Sequence, residues 1–308
     1  MAAKLYGGTY PGGRLFEWNG SNAWSQVAPQ PETQTSILSL AVFNNKLYGG
    51  TYDGRLFEWN SSDAWVEVAP QLDSQTRIYS LVVFNGKIYG GTYPGGRLFE
   101  WNGSDAWSQV APELESQDIY SLIVFDGKIY GGTNGGLLFE WNGSDAWAKV
   151  APQLNSQTQI RSLAILNDKI YGGTSPNGRL FEWNGSDAWS QVAPELESQD
   201  IYSLIVFNDK IYGGTISSGR LFEWNGSNAW SQVAPELNSQ TQIRSLAILN
   251  DKIYAGTYDK GKLFEWNGSD AWVEVADQLN SQGIILSLVV LEEEAPVGFP
   301  HSQAIIIA

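Results

Sequence analysis

Residues 90–107 read GGTYPGGRLFEWNGSDAW. The Leu-Phe-Glu-Trp-Asn segment inside this stretch returns along the whole chain. Its phenylalanine falls at Phe16, Phe57, Phe99, Phe139, Phe181, Phe222 and Phe264, spaced by 41, 42, 40, 42, 41 and 42 residues. A catalytic motif needs to be written once, whereas a packing unit that tiles must be written many times. A period near forty residues is that of propeller-type repeats and is too long for most leucine-rich solenoids. The 14 tryptophans divide as two per repeat, as in Trp101 and Trp107.

Each repeat contains four short runs. Between residues 119 and 151 the first is Ile119 to Phe125 and the second is Lys128 to Thr133. Asp126-Gly127 between them is a hairpin turn signal. A glycine-rich link leads to the third run, Leu138 to Asn142, and Gly143-Ser144-Asp145 turns the chain into the fourth, Trp147 to Ala151. None carries a 3.6-residue apolar stripe over helical length. Pro152 and its equivalents end the fourth run. The expected fold is all-β: a seven-bladed β-propeller of four-stranded antiparallel blades. The chain opens on a second strand, Lys4 to Thr9, and ends on an unpartnered first strand, Ile284 to Leu291. Joined, they make one composite blade whose inner strand comes from the C-terminal side, a closure that removes exposed edges. Residues 1–291 are therefore the propeller and 292–308 a tail. In that tail, 292–296 reads as a solvated link and Ala304 to Ala308 as an apolar extended segment held by the ring or a neighbouring molecule.

The pattern resembles the kelch-type propellers over nearly the whole chain. The matching pieces are Val206-Phe207-Asn208-Asp209-Lys210-Ile211-Tyr212, the following Gly213-Gly214, and Trp230 ahead of Val233-Ala234-Pro235. The repeats depart from kelch in being shorter, in carrying Thr after the double glycine, and in the Phe-Glu-Trp-Asn third strand. The resemblance implies the fold. Propellers include lectins, interaction platforms and enzymes, so it does not choose among functions. The copies are also unusually alike. Residues 108–125 and 190–207 are identical, as are 154–171 and 237–254, which points to amplification of a two-blade segment.

Composition removes several classes of function. The chain has no cysteine and one histidine, His301, so neither a thiolate site nor a His-based triad or multi-His metal site can be assembled. A net charge of −15 repels phosphate backbones and anionic membrane surfaces. No basic and apolar leader pattern opens the chain, and the longest apolar stretch, around 283–291, is too short to span a bilayer. The chain reads as soluble; its location is not legible. No cofactor is expected, and no asymmetric carboxylate pair stands out, so the expectation is a protein that is not an enzyme.

Glu17, Glu58, Glu100, Glu140, Glu182, Glu223 and Glu265 hold one position in every repeat. Lys4, Lys46, Lys87, Lys128, Lys169, Lys210 and Lys252 recur as faithfully at the start of the second strand. A register that sets Tyr6 opposite Glu17 places Lys4 diagonal to it on the same face. Each Glu then has its own Lys, and a neutralised carboxylate is a poor cation ligand. The expectation is internal wiring of the blade. The tryptophans are expected as wedges between blades, and Gly7-Gly8 and its equivalents as places of close approach to a neighbouring sheet. Asn-Gly-Ser or Asn-Ser-Ser after each third strand matches the glycosylation sequon, but reads first as turn chemistry.

If tiling explains sameness, function belongs where the copies differ. One variable position is the second residue of the inner strand: Leu38, Tyr79, Tyr120, Arg161, Tyr202, Arg244 and Leu286. Another follows Gly-Gly-Thr: Tyr10, Tyr52, Tyr93, Asn134, Ser175, Ile216 and Tyr258. Both are expected around the mouth of the central channel, and Tyr and Arg are enriched in binding hot spots. The candidate ligand-binding residues are thus Tyr79, Tyr120, Arg161, Tyr202, Arg244, Tyr10, Tyr52, Tyr93 and Tyr258. The expected function is a scaffold that presents this face to a protein or peptide. The alternative is a multivalent lectin with sugar pockets between blades, where near-identical weak sites would gain from avidity.

Overall fold

A computed structural model of the chain describes residues 3–292, apart from 21–22, 32–33, 73–74, 105, 115–116, 145, 155–158, 197–198, 228, 238–241 and 277–282. The segment 293–308, with His301 and the expected apolar run 304–308, lies outside the described residues. Seven four-stranded antiparallel sheets form the structure, and the described residues contain no helix. In one blade the strands are Ile119–Phe125, Lys128–Thr133, Leu138–Trp141 and Ala148–Ala151, hydrogen-bonded in chain order. The first strands pack against one another around the axis and so are innermost. Asp126 and Gly127 both take positive φ, 46° and 70°, the conformation a two-residue hairpin turn requires.

The ring closes through the composite blade. The strand Ile284–Glu292 pairs antiparallel with Ala3–Tyr10, with Lys4 opposite Leu291 and Tyr6 opposite Val289. Glu292 belongs to this strand, paired with Ala3, and not to a solvated link as its sequence context suggested.

The apolar core lies between blades more than within them. One cluster joins Tyr6, Leu15 and Ala28 of one blade to Ile37, Leu40, Phe57 and Trp59 of the next, and six further clusters repeat the arrangement around the ring. The second-strand tyrosine of each blade stacks on the third-strand tryptophan of the following blade. Tyr6 meets Trp59 with ring centroids 5.3 Å apart, Tyr48 meets Trp101 at 5.2 Å, and the series closes with Tyr254 on Trp18 at 5.0 Å. Such tilted pairs contribute about 0.5–1.5 kcal/mol beyond their buried area. The fourth-strand tryptophan instead stays in its own blade, where its ring lies over the first glycine of the double-glycine pair. A Cβ on Gly90 would sit 3.3 Å from Trp107.

The second glycine serves the neighbour. A Cβ on Gly91 would come within 2.5 Å of Ile119 Cγ2 in the next inner strand, and the six equivalents meet their Ile at 2.5–2.8 Å. Alanine replaces the first glycine once, at Ala255, and never the second. Inner-strand serines complete the joint: Ser80 Oγ accepts the Leu122 N–H at 3.0 Å and Ser162 Oγ that of Leu204 at 2.9 Å.

Candidate functional site

The repeated glutamates are internal wiring. Tyr6 pairs with Glu17 across the hairpin, and the same register holds in the other six blades. In each blade one carboxylate oxygen takes the Lys and the other takes the Tyr hydroxyl. Lys87 Nζ lies 2.6 Å from Glu100 Oε1, and Tyr89 donates to Glu100 Oε2 at 2.7 Å. The remaining Lys–Glu distances run from 2.6 to 3.3 Å. Burial, reinforced by this hydrogen bond to a carboxylate, pushes the phenol pKa of Tyr48, Tyr89, Tyr130, Tyr171, Tyr212 and Tyr254 well above its ordinary value.

Grooves of about 400 and 630 Å³ lie beside this wiring, at the end of the ring carrying the first hairpin turns. The first is lined by Lys87, Tyr89, Glu100 and, from the next blade, Trp141, Asn142 and Ser144. Their tryptophans have no free face: the seven third-strand indoles are only 4–7% exposed. The Asn-Gly-Ser segments form turns. At the equivalent Asn60-Ser61-Ser62, the Asn60 Oδ1 accepts the backbone N–H of Ser62, Asp63 and Ala64, each at 3.0 Å.

The variable residues gather at the other end. In every blade the pairing of first and second strands slips by one residue. Ile78 faces Thr92 while Ser80 faces Gly91, which leaves Tyr79 as the extra residue of a β-bulge. The same slip leaves Leu38, Tyr120, Arg161, Tyr202, Arg244 and Leu286 unpaired. A bulge re-aims the extra side chain out of the ladder. Seven bulges therefore present the seven variable residues around the channel mouth.

These side chains touch one another. Arg77 stacks over Tyr52 and Tyr93, both at 4.4 Å, and donates hydrogen bonds to the hydroxyls of Tyr52 and, at 2.7 Å, Tyr79. Tyr79 contacts Tyr93 and Tyr120 edge-on, with centroids 6.2 and 5.2 Å apart. Arg161 sits between Tyr120 and Tyr202, at 4.2 and 4.6 Å, and Arg244 between Tyr202 and Tyr258, at 4.7 and 4.9 Å. Eight of the nine candidate residues join this arc. The ninth, Tyr10, lies apart from it. It pairs with Ile284, is 45% exposed, and marks a second sector of the mouth where the bulges carry Leu286 and Leu38.

Arg77 was not among the candidates. It stands one residue before the inner-strand isoleucine, where other blades carry Ser36, Asp118, Gln159, Asp200, Gln242 and Ile284. That variation was the signal that could have found it. Asp118, from the same row, ties two loops: its carboxylate accepts the Gly95 N–H at 3.0 Å and the Asn134 amide at 2.8 Å. Burial pushes the Asp118 carboxyl pKa up, against the opposing effects of Gly95 and Arg77.

The arginines differ in their surroundings. Burial acts to lower the Arg77 pKa, but the hydrogen bonds to Tyr52 and Tyr79 outweigh it and the net shift is upward. At Arg244 burial prevails and the net shift is downward, with Tyr202 opposing it and nearby Arg161 adding to it. Among the described residues no group of three or more His, Cys, Asp or Glu could hold a metal ion, and no helix is long and apolar enough to cross a membrane.

No protein-family model and no curated protein matches the chain. Solved structures do match. The WD40 β-propeller domain of Doa1 aligns at 13% identity over 94% of each chain with a TM-score of 0.66. A streptogramin B lyase aligns at 10% identity, over 84% of this chain and 92% of its own, with a TM-score of 0.68. YCF48 bound to D1 peptide aligns at 15% identity, over 77% and 82%, with a TM-score of 0.59. A WD40 domain, a lyase and a peptide complex share one architecture at identities this low, so the likeness speaks to fold alone. By fold, then, the chain is a seven-bladed β-propeller.

Proposed function

We propose that the protein is a non-enzymatic binding scaffold that holds a protein or peptide partner on its channel-mouth face. The observation that carries this reading is the arc of stacked Tyr and Arg side chains set on consecutive β-bulges. Residues that serve tiling are invariant from blade to blade, whereas these vary and yet interlock. Planar aromatic and guanidinium groups supply large contact area with little conformational freedom to lose. The rim is open to a partner: Tyr10, Tyr52 and Tyr258 are 36–45% exposed. YCF48, one of the structural neighbours, is a propeller seen with a peptide bound, which makes this use of the fold a natural one. The non-catalytic reading rests on the repeated glutamates, each occupied by its own Lys and Tyr. On the kelch-like pieces of the second and fourth strands, we place the blades nearest the kelch type.

The lectin alternative calls for Trp or Tyr faces for stacking and Asn, Asp or Glu as acceptors in pockets between blades. In the grooves the indoles are buried and the glutamates engaged, so the alternative is left with asparagines such as Asn85 there and with the exposed tyrosines of the mouth.

The test is selection of peptides from a random display library on the wild-type protein. The selected peptides are then measured against a variant carrying Tyr79→Ala, Tyr120→Ala and Tyr202→Ala. These side chains project from bulges, so the variant should keep the circular dichroism spectrum of the wild type and lose at least about tenfold in affinity. Peptides that bind both proteins equally would move the site away from this face. A glycan array answered by the wild type and lost in the variant would favour the lectin.

A further inference from the structure

Arg161 and Arg244 differ from most other cations of the chain. Most of the latter face a carboxylate: the seven second-strand lysines hold Glu, Arg55 lies 2.9 Å from Glu67, and Lys262 lies 2.8 Å from Glu274. Arg161 and Arg244 have no carboxylate within ion-pair distance among the described residues. They nevertheless flank one ring, Arg161 at 4.6 Å and Arg244 at 4.7 Å from the centre of Tyr202. Each is half-buried, and the Nε of each is shielded from solvent with no hydrogen-bond partner. Two like charges with buried, unpaired donors are an unfavourable arrangement unless something else neutralises them. The protein carries a net charge of −15, so this local positive spot is not an accident of an overall basic surface.

The same two blades carry acceptors. Gln159 and Gln242 stand two residues before Arg161 and Arg244, and each keeps a buried carboxamide oxygen without a partner. A site with guanidinium donors and carboxamide acceptors fits a ligand that brings both an anion and N–H groups. A peptide with an acidic side chain brings both. Inorganic phosphate offers the anion without the backbone donors.

Resting on the binding reading above, we infer that the partner of the mouth is an acidic peptide segment, with Glu or Asp carboxylates taken by Arg161 and Arg244 where they flank Tyr202. The planar guanidinium fork matches a carboxylate, and stacking on Tyr202 holds it in plane. The peptide backbone N–H groups meet the carboxamides of Gln159 and Gln242. Asp or Glu in the ligand supplies the charge that the protein's own carboxylates do not.

The test is calorimetric titration of the full chain at low ionic strength with three probes: capped hexaglutamate, capped hexaglutamine and inorganic phosphate. Hexaglutamate should bind, with an affinity that falls as salt is added, and hexaglutamine should not. Arg161→Gln and Arg244→Gln should each weaken hexaglutamate binding by about tenfold or more. Arg161→Lys should recover part of the loss, because it keeps the charge and gives up the planar fork. Lys149→Gln, which removes the same charge from an exposed outer strand, should leave the affinity within about twofold. Binding that ignores both Arg→Gln changes, or equals the loss seen with Lys149→Gln, would overturn the inference. So would phosphate binding without hexaglutamate binding. If display-selected peptides depend on the mouth tyrosines but carry no acidic residue and ignore both arginines, the scaffold reading stands and the acidic partner is wrong.

Discussion

Gly91→Ala and Gly90→Ala are chemically identical changes on adjacent residues, and the structure separates them. A methyl group at Gly90 would rest 3.3 Å from Ile78 and Trp107, a tight contact that a shift of a few tenths of an ångström relieves. Ala255 occupies the equivalent place in another blade. Replacing Gly by Ala also restricts the unfolded chain, which favours folding by about 0.4–1 kcal/mol where the native backbone tolerates it. Gly90→Ala should therefore be neutral within about 1 kcal/mol. A methyl group at Gly91 would lie 2.5 Å from Ile119 Cγ2 and 3.0 Å from its Cβ. A Cβ and a branched methyl cannot turn aside as a side-chain tip can, so two blades must part. Overpacking of this kind costs about 1–3 kcal/mol. At roughly 2–4 °C of Tm per kcal/mol for large domains, Gly91→Ala should lower Tm by at least about 2 °C. Thermal melts followed by circular dichroism measure both. Ile119→Ala removes the methyl in conflict, so Gly91→Ala should be less damaging in that background, giving a coupling of about 0.5 kcal/mol or more. Equal melting temperatures for the two Gly variants, or a cycle without coupling, would refute the assignment of the second glycine to the blade interface.

Three further outcomes follow from the same geometry. Glu100→Gln should keep the Tyr89 hydrogen bond but lose the charge opposite Lys87; that lysine is 39% exposed, so the loss in a denaturant melt should be about 1 kcal/mol, and a loss beyond about 3 would mean the pair is not screened. Truncation before Ile284 removes the buried Ile285, Leu288 and Val289 from the composite blade and should abolish a cooperative melt at the wild-type temperature; an unchanged Tm would exclude the closure. The buried phenols set the alkaline limit. In the unfolded chain Tyr ionises near its ordinary pKa of 10.0, whereas Tyr89 and its equivalents stay protonated to higher pH when folded. Their contribution is complete below about pH 10 and declines as pH rises beyond it. Tm measured from pH 8 to 12 should fall over the upper half of that range, and a flat profile would place the phenols in contact with solvent.

The blade was legible in the sequence because its information is local and repeated. Strand lengths, the Asp126-Gly127 turn and the opposition of Tyr6 and Glu17 all follow from alternation within one hairpin. What passes between blades was less legible. Nothing in the repeat tells that Trp59 serves Tyr6 of the preceding blade while Trp65 covers Gly49 of its own. The two tryptophans differ by six residues on one hairpin, and only packing against a second blade separates them. Ala255 did carry the distinction between the two glycines, as the single exception at one of them. The candidate site was found by variation, which located both rows of the mouth. The bulge was not visible, because a one-residue slip leaves no mark in residue type when the slipped position is free to vary. Arg77 was missed for a related reason: it belongs to a third variable row, one residue upstream, and joins the mouth by stacking on Tyr52 and Tyr93 from two neighbouring blades.

Consider finally the stacking of each tyrosine on the next blade's tryptophan, which runs from Tyr6 on Trp59 around to Tyr254 on Trp18. It is a relay with a direction and no first member. Every blade hands on what it receives, and the composite blade, assembled from two distant parts of the chain, does so at the same distance as the rest. The contacts thus hold no record of where the polypeptide was cut. A circular permutant that joins 292 to 3 through a short linker and opens any other loop between a first and a second strand keeps every tyrosine on its tryptophan, every glutamate on its lysine, and the mouth residues in the same cyclic order.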